Sequence, residues 1–113
     1  MIYSVTCLVS NDIREGWLEW MREHIPQVLG TGLFSEARIS RVMSQDTDDG
    51  GTSYNIQYRA NSRDALYQYY QEHADKLRQQ GIDKWGEKVI AFRTELEMID
   101  EYRVNYNQPI NPN

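Results

Sequence analysis

The sequence has one cysteine, a deficit of cations and no long apolar run, and each shortage excludes a class of protein. Cys7 has no second cysteine to pair with, and its place in an apolar stretch favours an inert buried thiol. Lysine and arginine number 12 against 17 aspartates and glutamates, which leaves a net charge of −5. This balance argues against nucleic-acid binding, because phosphate binding needs clustered cations. No apolar run approaches the roughly 20 residues of a membrane span, so we expect no membrane partner either.

Motifs that hold phosphates, metals or redox centres are also missing. The adjacent glycines Gly50 and Gly51 follow acidic residues in a turn instead of forming a phosphate loop. Two histidines, His24 and His73, fall short of the three or four ligands usual for zinc, so we expect no metal and no cofactor. Met1 runs directly into a strand-like segment without the basic start and apolar stretch of a signal peptide, which predicts a cytoplasmic protein.

The chain repeats one pattern. Glu23-His24 and Glu72-His73 lie 49 residues apart (73 − 24), each within a helix-like stretch between two strand-like ones. This repeat indicates two β-α-β halves that share one sheet. A chain of 113 residues is the size of one domain. We assign residues 1–99 to that domain and interpret residues 100–113 as a polar C-terminal tail.

Alternating apolar residues predict four strands, and helical apolar spacing predicts two helices between them. The strands are expected at 2–10, 37–45, 52–60 and 88–99. The first helix should begin at Asp12, with Glu15 completing a capping box. It should kink or restart near Ile25, because Pro26 lacks an N–H group. Ser62 should cap the second helix.

The order β-α-β-β-α-β predicts the fold class. The simplest architecture is an α+β domain with a four-stranded antiparallel sheet and both helices on one face, the ferredoxin-like arrangement. The rule that crossovers are right-handed leaves few competing topologies. Residues 46–51, between the second and third strands, are rich in aspartate and glycine, which tolerate positive φ, and predict a hairpin turn.

Four segments resemble an uncharacterised bacterial family of short proteins, a domain of unknown function. They are Trp17-Leu18-Glu19-Trp20-Met21, His24-Ile25-Pro26, Thr31-Gly32-Leu33-Phe34 and Ala91-Phe92-Arg93-Thr94. The resemblance extends over nearly the whole chain except the tail. It implies a ferredoxin-like fold of the dimeric α+β barrel type, and hence a homodimer, with no assigned activity. More distantly, the layout is similar to cofactor-independent antibiotic-biosynthesis monooxygenases and haem-degrading enzymes, a comparison that rests on fold alone.

Strand alternation predicts a polar sheet face opposite the helices. The residues assigned to it are Ser4, Thr6, Arg38, Ser40, Asn55, Gln57, Arg59, Arg93 and Glu95, and those assigned to the helix side are Val5, Cys7, Ile39, Tyr54, Ile56, Tyr58, Phe92 and Leu96. The polar face is either solvated or turned toward a second sheet in a dimer. In a dimer, the candidate ligand-binding residues Arg38, Asn55, Gln57, Arg59 and Arg93 would suit a carboxylate or phosphate. Alternatively, the arginines would pair with Glu95 and Glu97 of the other copy.

The helices supply the remaining candidates. A helical wheel places His73 in the buried stripe of the second helix, either as a hydrogen-bonded core histidine or as a weak candidate for a catalytic base. Trp17 would line a pocket beside it. His24 lies at the edge of its own stripe next to Trp20, where it would cap backbone carbonyls or form the rim of a pocket.

These observations favour a small soluble dimer that binds an anionic or aromatic small molecule. One alternative is a cofactor-independent monooxygenase-like enzyme that acts on an aromatic substrate near His73 and Trp17. Another is a protein-interaction module that uses the C-terminal tail.

Overall fold

The computed structural model describes residues 1–43 and 50–104. The strands and helices follow one another in the predicted order. Their bounds are Ile2–Ser10 for β1, Arg14–Leu29 for α1, Phe34–Arg41 for β2, Gly51–Ala60 for β3, Arg63–Tyr69 for α2, Asp75–Trp85 for α3 and Val89–Leu96 for β4. A π turn, Tyr70–Ala74, joins α2 to α3, so residues 63–85 form one second helical region. Short 3₁₀ turns, Asn11–Ile13 and Gly86–Lys88, precede α1 and β4.

The four strands form one sheet in the order β2-β3-β1-β4, with antiparallel neighbours throughout. One face of the sheet packs against both helical regions in a single apolar core, to which β1 contributes Tyr3, Cys7 and Val9, β3 contributes Tyr54, Ile56 and Tyr58, and the helices contribute Trp17, Met21, Val28, Leu66, Tyr69 and Leu77. Burial of each large apolar side chain stabilises the fold by about 1.5–3 kcal/mol. The ferredoxin-like prediction is confirmed. We call the sheet face that the helices leave uncovered the open face.

The two predicted helix caps have different outcomes. Ser62 caps α2 as predicted, because its Oγ accepts a hydrogen bond from the Ala65 N–H group at 3.0 Å. The capping box at Asp12 is wrong, since α1 begins at Arg14 without a side-chain cap. The Asp12 carboxylate instead accepts hydrogen bonds from the Ser10 hydroxyl and the Lys88 ammonium. It therefore ties the start of α1 to the start of β4.

Pro26 does not interrupt α1, which runs as one helix to Leu29, so the predicted restart near Ile25 is wrong. The carbonyl of Pro26 itself accepts a hydrogen bond from the Gly30 N–H group at 2.8 Å. The helix ends at Gly30, and Gly32 has a φ of +80°, a conformation that glycine adopts cheaply. The helix therefore ends within the segment Gly30-Thr31-Gly32.

The predicted orientation of β4 is wrong. Residues directly opposite each other in a sheet share a face, and Arg93 pairs with Val5 while Glu95 pairs with Tyr3, so both charged residues lie on the helix side. Phe92 and Leu96 lie on the open face instead. The prediction put the larger apolar residues in the core, whereas the core-side residues at the start of this edge strand are the smaller Val89 and Ala91.

The other three strands have the predicted orientation. Arg38 pairs with Gln57 and Ser40 with Asn55 on the open face, while Ile39 pairs with Ile56 on the helix side. The strand ends differ from the prediction: β2 is three residues earlier at its start and ends at Arg41, and β4 ends at Leu96. Most of the predicted hairpin turn lies outside the described residues.

The π turn overturns the predicted place of His73. A regular helix would bury residue 73 in line with Leu66 and Leu77, but the buried positions here are Tyr69 and then Ala74, five residues apart. The wider turn moves His73 to the edge of the stripe. Its side chain is 37% exposed and stacks on the Tyr69 ring at 6.3 Å.

Residues 97–104, which follow β4, form neither helix nor strand. Arg59 of β3 holds the start of this segment through Glu101, at 3.5 Å, and through the sulfur of Met98, at 3.9 Å. A binding role for the tail stays a prediction, since residues 105–113 lie outside the described part of the chain. No helix within residues 1–43 and 50–104 is both long and apolar enough to cross a membrane.

Candidate functional site

A cavity of about 120 Å³ lies between the sheet and the two helical regions, and we call it the inner cavity. Its apolar wall combines side chains from α1, β1, β3 and α3: Trp17, Trp20, Met21, Val28, Val5, Cys7, Ile56 and Leu77. Its polar groups come mainly from helix positions and from β4: His24, Arg78, Trp85 and Arg93. The side chains therefore offer a mostly apolar volume with a small number of polar groups, the usual composition of a small-molecule site.

Two tryptophans and two glycines set the distance between the helical regions. Trp20 of α1 lies against Gly81 of α3, where an added Cβ would be 3.4 Å from the indole. Trp85 of α3 lies in the same way against Gly16 of α1, with an added Cβ at 3.5 Å. The two indoles meet edge to face with their centroids 6.3 Å apart. This reciprocal packing forms one end of the inner cavity.

Three buried polar atoms in the lining have no hydrogen-bond partner within the described residues. They are His24 Nδ1, Arg78 Nε and Trp85 Nε1. An unsatisfied buried polar group costs roughly 1–3 kcal/mol, so such atoms are rare in native proteins. All three residues line the same inner cavity. The residues that line the cavity therefore carry at least two unused N–H donors, on the indole and on the guanidinium.

His24 is neutral at physiological pH in this position. Burial removes water from the imidazole and lowers its pKa, because desolvation disfavours the charged form. The ring stacks on Trp20 with a centroid distance of 4.4 Å and an interplanar angle of 17°. A neutral imidazole has one N–H donor and one acceptor nitrogen, so His24 can either bind a polar group or accept a proton.

A wider opening of about 360 Å³, the outer cleft, adjoins the inner cavity. It is lined by Tyr3, Tyr70, Arg78, Arg93, Thr94 and Glu95. Tyr3, Arg78 and Arg93 border both spaces, so the two lie next to each other. The site thus has an apolar inner part and a charged entrance.

Arg78 is held at this entrance by two aromatic residues. Its Nη2 donates a hydrogen bond to the Tyr3 phenol oxygen at 2.9 Å, and its guanidinium carbon lies 5.7 Å from the centre of the Tyr70 ring. Burial, followed by the nearby charge of Glu95 and a hydrogen bond to it, raises the pKa of the Tyr70 phenol. Tyr70 therefore stays protonated beside the Glu95 carboxylate.

Cys7 lines the inner cavity as a protonated thiol. Burial raises its pKa to about 11, and the nearby Arg93 guanidinium lowers it only in part. Since the thiolate is the nucleophilic form, the group is unreactive at neutral pH. The prediction of a buried, inert cysteine is consistent with this position.

Three of the predicted ligand-binding residues meet at this site. Trp17, His24 and Arg93 all line the inner cavity, although the sequence had placed Arg93 on the other face. His73, the weak catalytic candidate, lines neither space.

The other four predicted ligand-binding residues, Arg38, Asn55, Gln57 and Arg59, lie on the open face. Arg59 already pairs with Glu36 at 3.8 Å and with Glu101 at 3.5 Å. A ligand-binding role for these four stays a prediction.

The open face is also partly satisfied by its own hydrogen bonds. Asn55 Nδ2 donates to the Ser4 hydroxyl at 2.9 Å and to the Thr6 hydroxyl at 3.0 Å. Glu97, expected to pair across a dimer, instead accepts a hydrogen bond from Arg63 of its own chain at 2.8 Å. Glu95 lies on the helix side of the sheet. Neither Glu95 nor Glu97 is therefore placed for the predicted pairing with arginines across two open faces.

Neither Arg78 nor Trp85 is among the site residues predicted from the sequence. Their positions do carry a signal: Ala74, Leu77, Arg78, Gly81 and Trp85 follow the i, i+3, i+4, i+7, i+11 spacing of one helical face. Counting Gly81 as helical would have revealed the face. Within the described ranges, no three His, Cys, Asp or Glu residues cluster closely enough to hold a metal ion.

A family model described as Domain of unknown function (DUF4286) matches residues 1–99. The chain belongs to this family. The predicted membership of an uncharacterised family is thereby confirmed, and DUF4286 carries no assigned activity. No curated protein matches the chain significantly.

Two solved structures resemble this DUF4286 protein. An ethyl tert-butyl ether D (EthD) family protein from Bacillus halodurans aligns with a TM-score of 0.59 and 12% identity, covering 86% of this chain and 100% of that one. The Arabidopsis thaliana protein At3g17210 aligns with a TM-score of 0.61 and 11% identity, covering 89% of this chain and 100% of that one. At these identities the likeness shows the fold alone.

Proposed function

We propose that the protein binds a small organic molecule with a single ring in the inner cavity. The observation that carries this proposal is that His24, Arg78 and Trp85 all line one cavity and each has a buried side-chain nitrogen without a partner among the described residues. A ligand with polar atoms would satisfy groups that otherwise cost the fold free energy.

The size of the inner cavity supports one ring. Its volume of about 120 Å³ is close to that of an engineered apolar cavity of about 150 Å³ that binds benzene. The indoles of Trp17, Trp20 and Trp85 offer aromatic surfaces for such a ring.

Tryptophan fluorescence tests this proposal directly, because all three tryptophans of the chain line the inner cavity. We expect single-ring alcohols, phenols or carboxylates to change the emission saturably and to raise the melting temperature. Trp85→Phe keeps a ring but removes the N–H donor, and it should weaken binding about fivefold to tenfold.

Tyr102→Phe is the matched control, since it removes a polar group from an exposed ring outside the cavity lining. It should bind as the wild type does. If no single-ring compound at millimolar concentration changes either signal, the binding proposal is wrong.

A homodimer formed through the open face completes the proposed function. The support is a run of exposed apolar side chains on the adjacent strands β1 and β4: Leu8, Ile90, Phe92 and Leu96, with Phe92 63% and Ile90 51% exposed. Four strands about 4.8 Å apart make the sheet about 19 Å wide, and eight residues at about 3.3 Å each make it about 26 Å long. The area of the open face is therefore roughly 500 Å². Two such faces bury on the order of 1,000 Å², near the lower limit for a specific interface.

Sedimentation velocity at micromolar concentration tests the dimer. The wild type should sediment as a dimer, and Phe92→Glu as a folded monomer, because it buries a charge in the interface. Tyr67→Glu is the control, since it alters an exposed ring on α2. A monomeric wild type would rule out this assembly.

Catalysis on the same ligand is a second candidate function, favoured by the neutral His24 inside the cavity. It corresponds to cofactor-independent oxygenation of an aromatic substrate, with His24 in place of His73 as the base that removes a proton. An oxygen electrode provides the test. Consumption that depends on the ring compound and is lost in His24→Gln supports an enzyme, whereas no consumption leaves a binding protein.

A further inference from the structure

Building on the proposed ring-binding function, we propose that the ligand carries one negative charge, as a carboxylate on its ring. This group would lie between Arg78 and Arg93, where the inner cavity meets the outer cleft. The inference deepens the binding proposal by assigning the chemical class of the ligand.

The charges that line the site do not balance. Among the residues that border the inner cavity or the outer cleft, only Arg78, Arg93 and Glu95 are charged at neutral pH. Two guanidiniums against one carboxylate leave a net charge of +1. Such a site attracts one anionic group, and a second one would leave it with an excess of negative charge.

The two guanidiniums also lack acidic partners. Within residues 1–43 and 50–104, neither Arg78 nor Arg93 is in an ion pair. Among the described residues, Arg78 donates only to the phenol oxygen of Tyr3, and its buried Nε has no partner. Guanidinium groups form their strongest hydrogen bonds with carboxylates, often through two N–H groups at once. A ligand carboxylate would supply the missing acceptor.

The position of the arginines fixes the orientation of the ligand. Both residues border the inner cavity and the outer cleft, so an acidic group bound between them leaves the ring in the apolar inner cavity. A carboxylate carries a single charge at pH 7, whereas a phosphate monoester carries about −1.5 to −2. The net charge of the site therefore favours a carboxylate.

Glu95 provides selectivity against a second acidic group. Its carboxylate lines the outer cleft beside the Tyr70 phenol. A second carboxylate that reached into the cleft would face this like charge and lose affinity. The site should thus distinguish monoanions from dianions of the same size.

Two pairs of probes of closely matched size test the inference by titration calorimetry: benzoate with benzyl alcohol, and isophthalate with monomethyl isophthalate. Benzoate should bind at least about tenfold more tightly than benzyl alcohol, because charge-assisted hydrogen bonds are lost in the alcohol. Arg93→Gln and Arg78→Gln should remove most of that difference between benzoate and benzyl alcohol. Melting temperatures confirm that each variant is folded, and Arg78→Lys keeps the charge if Arg78→Gln is unstable.

Monomethyl isophthalate should bind better than isophthalate, and Glu95→Gln should reduce that preference several-fold. If benzoate and benzyl alcohol bind equally, the site does not select an anion, although the ring-binding proposal stands. If none of the four probes binds, the ring-binding proposal fails and this inference fails with it.

Discussion

Arg78 of α3 donates a hydrogen bond to the phenol oxygen of Tyr3 in β1 at 2.9 Å, joining residues that are 75 positions apart. The bond crosses the boundary between the inner cavity and the outer cleft, so it connects the stability of the fold to the geometry of the proposed ligand site.

Tyr3→Phe removes the acceptor and leaves the Arg78 Nη2 group without its partner. Because Tyr3 is buried, we expect the free energy of unfolding to fall by about 1–2 kcal/mol, as measured by urea denaturation. Tyr102→Phe, which alters an exposed ring, should be neutral. Equal stability of Tyr3→Phe and the wild type would mean that the bond contributes nothing in solution.

Two glycines near the C-terminal end of α3 should respond in opposite ways to alanine. At Gly81 the backbone is helical and the added Cβ lies at an ordinary 3.4 Å from Trp20, so Gly81→Ala should stabilise by about 0.5–1 kcal/mol. At Gly86 the φ of +55° strains any other residue, so Gly86→Ala should destabilise by about 1 kcal/mol.

Thermal unfolding of the two alanine variants in parallel separates these effects. Gly81→Leu extends the comparison, because a larger side chain would push against the Trp20 indole and should destabilise. A loss of stability in Gly81→Ala would show that the helices cannot accept even one methyl group at their contact.

His24 should make the stability depend on pH below neutrality. Its pKa in the folded protein is lower than the ordinary value of 6.5, so the unfolded chain binds more protons as the pH falls below 6.5. The free energy of unfolding that is present above pH 7 should therefore decrease as the pH falls from about 6.5 to the lower pKa of His24 in the folded protein. In His24→Gln this decrease should be smaller when unfolding is followed from pH 7.5 to 5.

The carboxylates of Asp12 and Glu101 affect stability in a more acidic pH range than His24 does. The pKa of Asp12 is lowered mainly by its hydrogen bond with Lys88, and that of Glu101 mainly by its hydrogen bond with Arg103. Their contributions are lost only as the pH falls below the usual range of carboxyl groups, under about 4.5. If His24→Gln and the wild type lose stability in parallel above pH 5, the buried imidazole is not the cause.

Ser62→Ala should cost about 1 kcal/mol, because the Ala65 N–H group loses its acceptor at the start of α2. Ser40→Ala, on the exposed part of β2, is the matched substitution and should change stability by less than about 0.5 kcal/mol. Chemical denaturation resolves the difference. Similar values for both variants would indicate that water replaces the cap at no cost.

The fold and most of the sheet could be predicted from the sequence because alternation in β1 and β3 is strong. Tyr54, Ile56 and Tyr58 are apolar at every second position, and the residues between them are polar. In β4 the apolar residues occur on both faces, so alternation alone could not choose between Phe92 and Arg93 as the inward residue. An edge strand with an exposed apolar face looks like a core strand in the sequence.

The candidate site was less predictable for a geometric reason. His24 was expected at the rim of a pocket, and the structure places it in the lining of the inner cavity. Arg78 and Trp85 share one helical face with Leu77 and Gly81, so counting Gly81 as helical would have revealed them. The edge position of His73 could not be found in this way, because the π turn at residues 70–74 departs from 3.6 residues per turn, which a helical wheel cannot represent.

The π turn at residues 70–74 makes the site sensitive to chain length as well as to side-chain identity. Removing one residue there would restore a regular α-helix and rotate everything after it by about 100°. Arg78 and Trp85 would then leave the inner cavity together, and Leu77 would leave the apolar core with them. A deletion of one residue would thus remove the candidate site and weaken the packing of α3 against the sheet.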